Sequence, residues 1–415
     1  MRSSYLFIIS LLFFLQCGSD SDYLQEDISE KIEPYKGEFL SLEIAFGSEK
    51  YGTKDEFLLV DPLPSPFQLL VNNNGDILLV DESRIKIYEK NGIGKKILGR
   101  PGYGPGEFED SPDIFLGPTG YLLALTSPKS TFTFYNLYDP DYNFIEKIRI
   151  QNNQRILDYV QSKVPDIKSY YVDQIIPLNK KEKLYKIEYM NIQEQKKMIS
   201  VFYENNDGII EFLNVKKPDS FSTEKYSTNT SDFGSFFLDI LSGRRIVYIN
   251  TDDDRHDEKT GSFYIIHIIS LDTREDKQIA CKFNSIEYTE DYIEDFYRSA
   301  MKPSKVKGEV MSEREKHHKA LGQFLRKKKF YPSIRRMKID GQYAIFELLE
   351  SQFKNKEYIL DIIDLEAGKF IKRIMSPTYL LGKTIKNSCL YGIFQEEDEF
   401  SEVRKYKIHP SVYEK

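Results

Sequence analysis

The 415-residue chain has no tryptophan, three cysteines and five histidines, and each shortage narrows what it can be. Cysteines at 17, 281 and 389 cannot staple a disulfide scaffold, and no C-x-x-C pair is present to hold zinc. The histidines include no H-E-x-x-H, and no G-x-S-x-G occurs, which weakens hydrolase and zinc readings. Basic excess is also lacking: 58 Lys and Arg face 65 Asp and Glu, with both signs scattered, so there is no electrostatic footprint for nucleic acid. Long amphipathic helices are missing until about residue 289. The longest apolar run, Tyr5 to Leu15, is eleven residues, well short of the roughly 20 that span a bilayer.

That run is informative in its place. "MRSSYLFIISLLFFLQ" sets Arg2 before an apolar stretch and stops at Cys17, with polar "GSDSD" behind it, the layout of a secretory signal peptide. It resembles a bacterial lipoprotein signal, in which the cysteine becomes the lipidated first residue; Gln16 stands where the usual box has Gly, Ala or Ser. The reading is a signal peptide over 1–16 and a lipidated Cys17 with a flexible tether over 17–37. The resemblance implies export to the bacterial cell envelope and a palmitate-type lipid anchor as the membrane partner. Removing the signal leaves 57 basic against 65 acidic groups, a net −8. Cys281 and Cys389 sit in apolar strand-like runs, where either one disulfide or two buried thiols would fit.

The remainder is a series of short β-rich runs, and it repeats. "FQLLVNNNGDILLVDESRIKIYEKNGIGKKIL" (67–98) and "PDIFLGPTGYLLALTSPKSTFTFYNLYDPDYNFIEKIRI" (112–150) each give four strands, with turn glycines Gly75 and Gly120 in matching places. Four antiparallel strands in about 40 to 50 residues make one propeller blade, which buries both faces only when neighbours stack on it. Further copies run over 171–215, 236–283 and 333–374, and a last, three-stranded copy ends the chain. "EFLSLEIAFG" (38–47) supplies its missing strand and removes the open edges. The prediction is an all-β, six-bladed β-propeller over 38–410, closed by an N-terminal strand, with a helical insertion at about 286–330 between blades four and five.

Between the first two blades lies "GRPGYGPGEF" (99–108). A phosphate loop needs free backbone N–H groups, then Lys and Ser or Thr opening a helix. Pro101 and Pro105 lack that donor and the next element reads as strand, so the segment is a corner. "ILGRPGYGPGEF" also resembles the interblade signature of six-bladed β-propeller lipoproteins related to NHL-repeat proteins, and "FYPSIRRMKIDG" (330–341) is similar to their fifth-blade opening. That likeness implies fold and envelope location, without an activity.

In the insertion, Thr289 reads as an N-cap, and Ser312 with Glu315 as a capping box for a helix over 312–329. His317 and His318 diverge by about 100° on a helix and read as a solvated face. "DDDRHDEKTG" (252–261) lacks the EF-hand glycine and reads as a solvated hairpin loop. Its 29 Tyr and 28 Phe suit interblade packing at least as well as carbohydrate stacking. The leading reading is a non-enzymatic binding module for an envelope protein or small ligand, with Arg100, Glu107, Asp113, Asp173 and Asp239 as candidate binding residues and no cofactor implied. The alternative is a lactonase-like hydrolase or lyase with a divalent metal in the central channel.

Overall fold

The computed structural model describes residues 24–25, 35, 37–60, 69–126, 134–149, 154–165, 167, 170–191, 196–218, 220–222, 227–229, 233–242, 244–257, 259–300, 309–350, 358–376, 383–395 and 400–414. Cys17 and the signal peptide lie outside them.

Six antiparallel sheets form a ring, each numbered here from its inner strand outward. Blade one is Leu69–Val71, Ile77–Asp81, Arg84–Tyr88 and Gly94–Leu98; blade two is Asp113–Leu116, Leu122–Thr126, Phe134–Tyr138 and Phe144–Arg149. Blade three is Tyr171–Pro177, Lys183–Asn191, Lys196–Asn205 and Gly208–Lys216, and blade four is Phe236–Leu241, Arg245–Asn250, Gly261–Ser270 and Asp276–Phe283. Blade five is Ile334–Asp340, Tyr343–Leu348, Tyr358–Asp364 and Lys369–Ser376. Blade six takes Lys383–Lys386, Cys389–Phe394 and Glu402–Ile408 from the C-terminal end and Leu40–Phe46 from the N-terminal end. Leu40 pairs with Ile408 and Phe46 with Val403, so the outermost strand of the last blade closes the circle.

The first two blades are copies down to their turns. Gly75 and Gly120 both adopt left-handed backbone, φ 90° and 89°, a region open to glycine at little cost. In each turn the glycine N–H donates to the carbonyl three residues back, Asn72 or Gly117.

Stacking supplies the stability. Six buried apolar clusters each bridge two successive blades, including the pair that meets at the closure, where Phe46, Leu59, Tyr88 and Tyr391 pack together. The second strands, such as "ILLVD" (77–81) and "LLALT" (122–126), are buried throughout because a neighbouring blade covers each face. Between blades four and five, a buried polar tie adds to the contact. Asp361 accepts from Arg373 Nε at 2.7 Å, Arg373 Nη2 at 2.9 Å and the Tyr264 hydroxyl at 3.0 Å, and Arg373 Nη2 also donates to the Lys282 carbonyl at 3.1 Å.

Among the described residues three α-helices interrupt the pattern. α1 (Gln154–Lys163) lies between blades two and three and buries Ile156 and Val160; the sequence reading did not anticipate it. α2 (Glu290–Ala300) and α3 (Glu309–Lys328) form the insertion. Thr289 Oγ1 accepts from the Tyr292 N–H at 3.1 Å, as an N-cap should. α3 starts three residues before Ser312, which is therefore inside the helix rather than its cap. The insertion packs through Ile293, Leu321, Leu325 and Tyr331 onto Phe233, just ahead of the inner strand of blade four, and Leu349, just past the second strand of blade five. It lies beside blades four and five on the face of the ring where inner strands begin.

That packing overturns one expectation. His317 and His318 are 2% and 8% exposed rather than solvated, because α3 packs against the rest of the chain, with the His317 ring 5.4 Å from that of Phe221 in the short Ser220–Ser222 strand that precedes blade four. The acidic loop is the largely exposed hairpin expected, with Arg255–Asp257 paired to Gly261–Phe263, and it also serves as a clamp: Asp252 accepts from Lys328 Nζ at 2.7 Å, and Asp254 accepts from the Ser333 N–H and hydroxyl at 2.9 Å each. Cys281 and Cys389 are buried thiols that are not joined in a disulfide. Leu24–Gln25 adds a parallel strand to the outer edge of blade four, and the Tyr35 N–H donates to the Arg373 carbonyl at 2.9 Å on the edge of blade five. At these points the tether is bound to the ring.

Asp254 makes the clamp pH-sensitive. Burial pushes its carboxyl up to about 7, although the Ser333 donors and the Lys328 charge work against the shift, with Asp253 adding to it. The folded state then holds an extra proton between roughly pH 4 and 7, so stability falls as pH rises through that window. Asp254→Asn is expected to melt above wild type at pH 8, with the advantage disappearing at pH 4, as read by thermal unfolding at the two values.

Candidate functional site in the central channel

An inner strand has its neighbour strand on one edge and the ring axis on the other, so polar residues in it have one place to go. The six inner strands enclose a channel of two confluent chambers. The first, 340 Å³, lies toward the strand starts and is walled by Phe115, Ile176, Phe236 and Met337 among others. The second, 580 Å³, opens among the turns at the strand ends, with Gly117 to Thr119, Asn179 and Ser242. Leu70, Leu116, Asp239, Ile339, Thr384 and Ile385 line both and mark the waist.

Into these largely apolar walls the chain sets charge. Asp173 pairs with Lys186 at 2.7 Å, and the Lys186 ammonium lies 5.3 Å from the centre of the Phe236 ring. Arg336 pairs at 2.5 Å with Glu347, which is wholly buried behind it. Lys338 is different. Burial lowers its pKa to about 8, only partly offset by the charges of Asp239 and Glu347 and reinforced by Arg336, and among the described residues no hydrogen bond or ion pair reaches its ammonium. Asp239, on the adjoining inner strand of blade four, has its carboxyl raised by burial, while the Ile240 N–H at 2.7 Å and the charges of Lys338 and Lys386 hold it down. Both side chains open on the channel yet are surrounded by protein on all other sides, so each charge is poorly hydrated. Asp113, at the start of its strand, is raised first by burial and then by the Asp173 charge.

Asp113, Asp173 and Asp239 therefore share the channel region, at successive depths. Arg100 and Glu107 stand apart from them in the blade-one to blade-two corner. Arg100 Nε donates to Glu107 Oε1 at 2.7 Å, and Glu107 Oε2 accepts from the Gly104 N–H at 2.8 Å. These contacts, the Gly104 N–H first, hold the Glu107 carboxyl below the usual range. Phe108, fully buried between the two blades, plugs the corner, and Gly99 at φ 77° is required there because a Cβ would lie 2.2 Å from the Phe108 ring. The glycine-rich stretch turns a corner.

Sequence reasoning missed Lys186, Arg336, Lys338 and Lys386. A signal was present: "RRMKID" sets Arg336 and Lys338 on a strand placed first in its blade, the one that runs beside the ring axis. Among the described residues no three of His, Cys, Asp and Glu gather as a metal would require. The channel carboxylates are instead distributed singly among cations.

No family model matches the chain. No curated protein matches it either. Solved structures do resemble it in shape. A Bacteroides fragilis protein inferred to be exported aligns at 12% identity over 89% of this chain and 95% of its own, with a TM-score of 0.47. The β-propeller domain of the Pyrococcus furiosus Trilobed protease aligns at 10% identity over 82% and 95%, with a TM-score of 0.36. A Bacteroides caccae protein of unknown function aligns at 9% over 75% and 81%, with a TM-score of 0.31.

Proposed function

We propose that the chain is a lipid-anchored β-propeller of the bacterial cell envelope, akin to the NHL-like propeller lipoproteins, that binds its ligand in the central channel. The observation that carries the reading is the channel itself: apolar walls from all six blades with a few convergent charged groups, two of them cations without a partner among the described residues. Such a concave, preformed site is what a binding module presents. The anchor reading rests on "MRSSYLFIISLLFFLQC" and would make Cys17 the attachment point. Two acyl chains make an anchor stable where one is marginal. Among the described residues no converging ligand set supports the lactonase-like alternative, and the binding reading stands ahead of it.

A photo-crosslinking residue in place of Phe237, which lines the first chamber, tests the site in living cells. Irradiation is expected to give an adduct that the same residue in place of Phe144, on the outermost strand of blade two, does not give. Equal yields at both positions, or none at either, would reject the channel. In the same cells an alkyne fatty acid should label wild type and not Cys17→Ala; equal labelling would reject the anchor.

A further inference from the structure

We propose that the channel selects a small organic anion, its carboxylate or phosphate held between Lys338 and Lys386 and its hydroxyl or amine groups donating to Asp239. The inference deepens the binding reading above and rests on it.

The charge count of the lining gives the sign. In a chain of net charge −7, the described residues lining the two chambers include the cations Lys186, Arg244, Arg336, Lys338 and Lys386 against the carboxylates of Asp173 and Asp239. Three of those cations are already engaged: Lys186 with Asp173, Arg336 with Glu347, and Arg244 with Glu182 at 2.8 Å. Lys338 and Lys386 are left, facing Asp239 from the inner strands of blades five and six, and neither makes an ion pair among the described residues. A narrow cavity with low-dielectric walls focuses the field of such unpaired charges.

Geometry adds the donor pattern. Lys338 carries three N–H donors and no acceptor partner, in a place where water is restricted, which is costly until an acceptor arrives. An anion supplies that acceptor and charge at once, and charge-assisted hydrogen bonds of this kind are the stronger class. Asp239 already accepts from the Ile240 N–H and retains lone pairs for one or two ligand donors. Lys338 lines the 340 Å³ first chamber and Lys386 the second, with Asp239 at the waist between them, where a molecule of a few to about a dozen heavy atoms fits.

The experiment uses the full chain in detergent, with calorimetric titration of succinate, glycerol 3-phosphate and, as the opposite sign, putrescine. Succinate or glycerol 3-phosphate should bind, and whichever is tighter identifies carboxylate or phosphate as the preferred group. Lys338→Met should weaken the anion by about tenfold or more, Lys338→Arg should retain most of it, and Lys181→Met, in the outer cleft between blades two and three, should leave it unchanged. Unaltered melting of Lys338→Met shows that loss of binding is not loss of fold; if that variant fails to fold, Lys386→Met carries the same expectation. Anion binding that survives both Met variants overturns the proposal. Putrescine binding that is lost in Asp239→Asn, without anion binding, overturns the sign and leaves the channel reading intact. If no probe binds and the Phe237 crosslinker also gives no adduct, both fall.

Discussion

A chain beginning at Ser48 is expected to lose the cooperative fold, whereas one beginning at Gly37 should melt close to the mature protein. The difference is the closing strand, Leu40–Phe46, with its flanking Phe39. Phe39 and Phe46 are 5% and 3% exposed and belong to the clusters that join blade six to blades five and one. Burial of two such rings contributes roughly 3–6 kcal/mol by area, comparable with half of a typical domain's net stability of about 5–15 kcal/mol. The ladder to Glu402–Ile408 is lost as well, and that strand becomes an open edge that can pair with another chain. Size-exclusion chromatography and circular-dichroism melting of the two chains decide the matter. The shorter chain should elute as aggregate or melt without a sharp transition, and a synthetic 38–47 peptide should partly restore it. A monomeric Ser48 chain with an unchanged midpoint would mean the ring does not depend on its closure.

The ring was legible because the blade is a local unit. Its strands are short, its turns carry Gly75 and Gly120 at matching places, and the count of six follows from the three-stranded last copy and the spare strand before the first. The corner at 99–108 was legible for the same reason, since Pro101 and Pro105 bar a phosphate cradle whatever surrounds them. What escaped notice depends on neighbours far away in sequence. The apolar spacing of Ile156, Val160 and Val164 is a single short stripe, and only the gap between blades two and three makes it a helix with somewhere to lie. His317 and His318 look solvated on an isolated helix and are buried because distant segments, among them the strand carrying Phe221, pack on α3. The channel was half visible. Its carboxylates could be placed near inner-strand starts, but the cations opposite them are spread along the chain from Lys186 to Lys386, and only ring closure brings them face to face.

Arg373→Met is expected to be the most damaging single substitution outside the apolar core. It leaves the Asp361 carboxylate, which has no exposed surface, with the Tyr264 hydroxyl as its remaining hydrogen-bond donor of the three described. Removing one member of a buried ion pair commonly costs about 3–5 kcal/mol, because the other charge stays behind without compensation. The Lys282 carbonyl loses a donor as well, so the seam between blades four and five weakens on both sides. Asp361→Asn should cost less, since its amide carbonyl still accepts from the guanidinium, whose charge keeps the Glu350 carboxylate, 3.9 Å away, as a partner. The double variant Arg373→Met with Asp361→Leu should recover much of the loss, the pair being exchanged for apolar volume. Urea unfolding of all four proteins gives the ordering directly, provided each transition is two-state. A double variant no more stable than Arg373→Met would show that hydrogen bonds to Tyr264 and Lys282, rather than the stranded charge, dominate the seam.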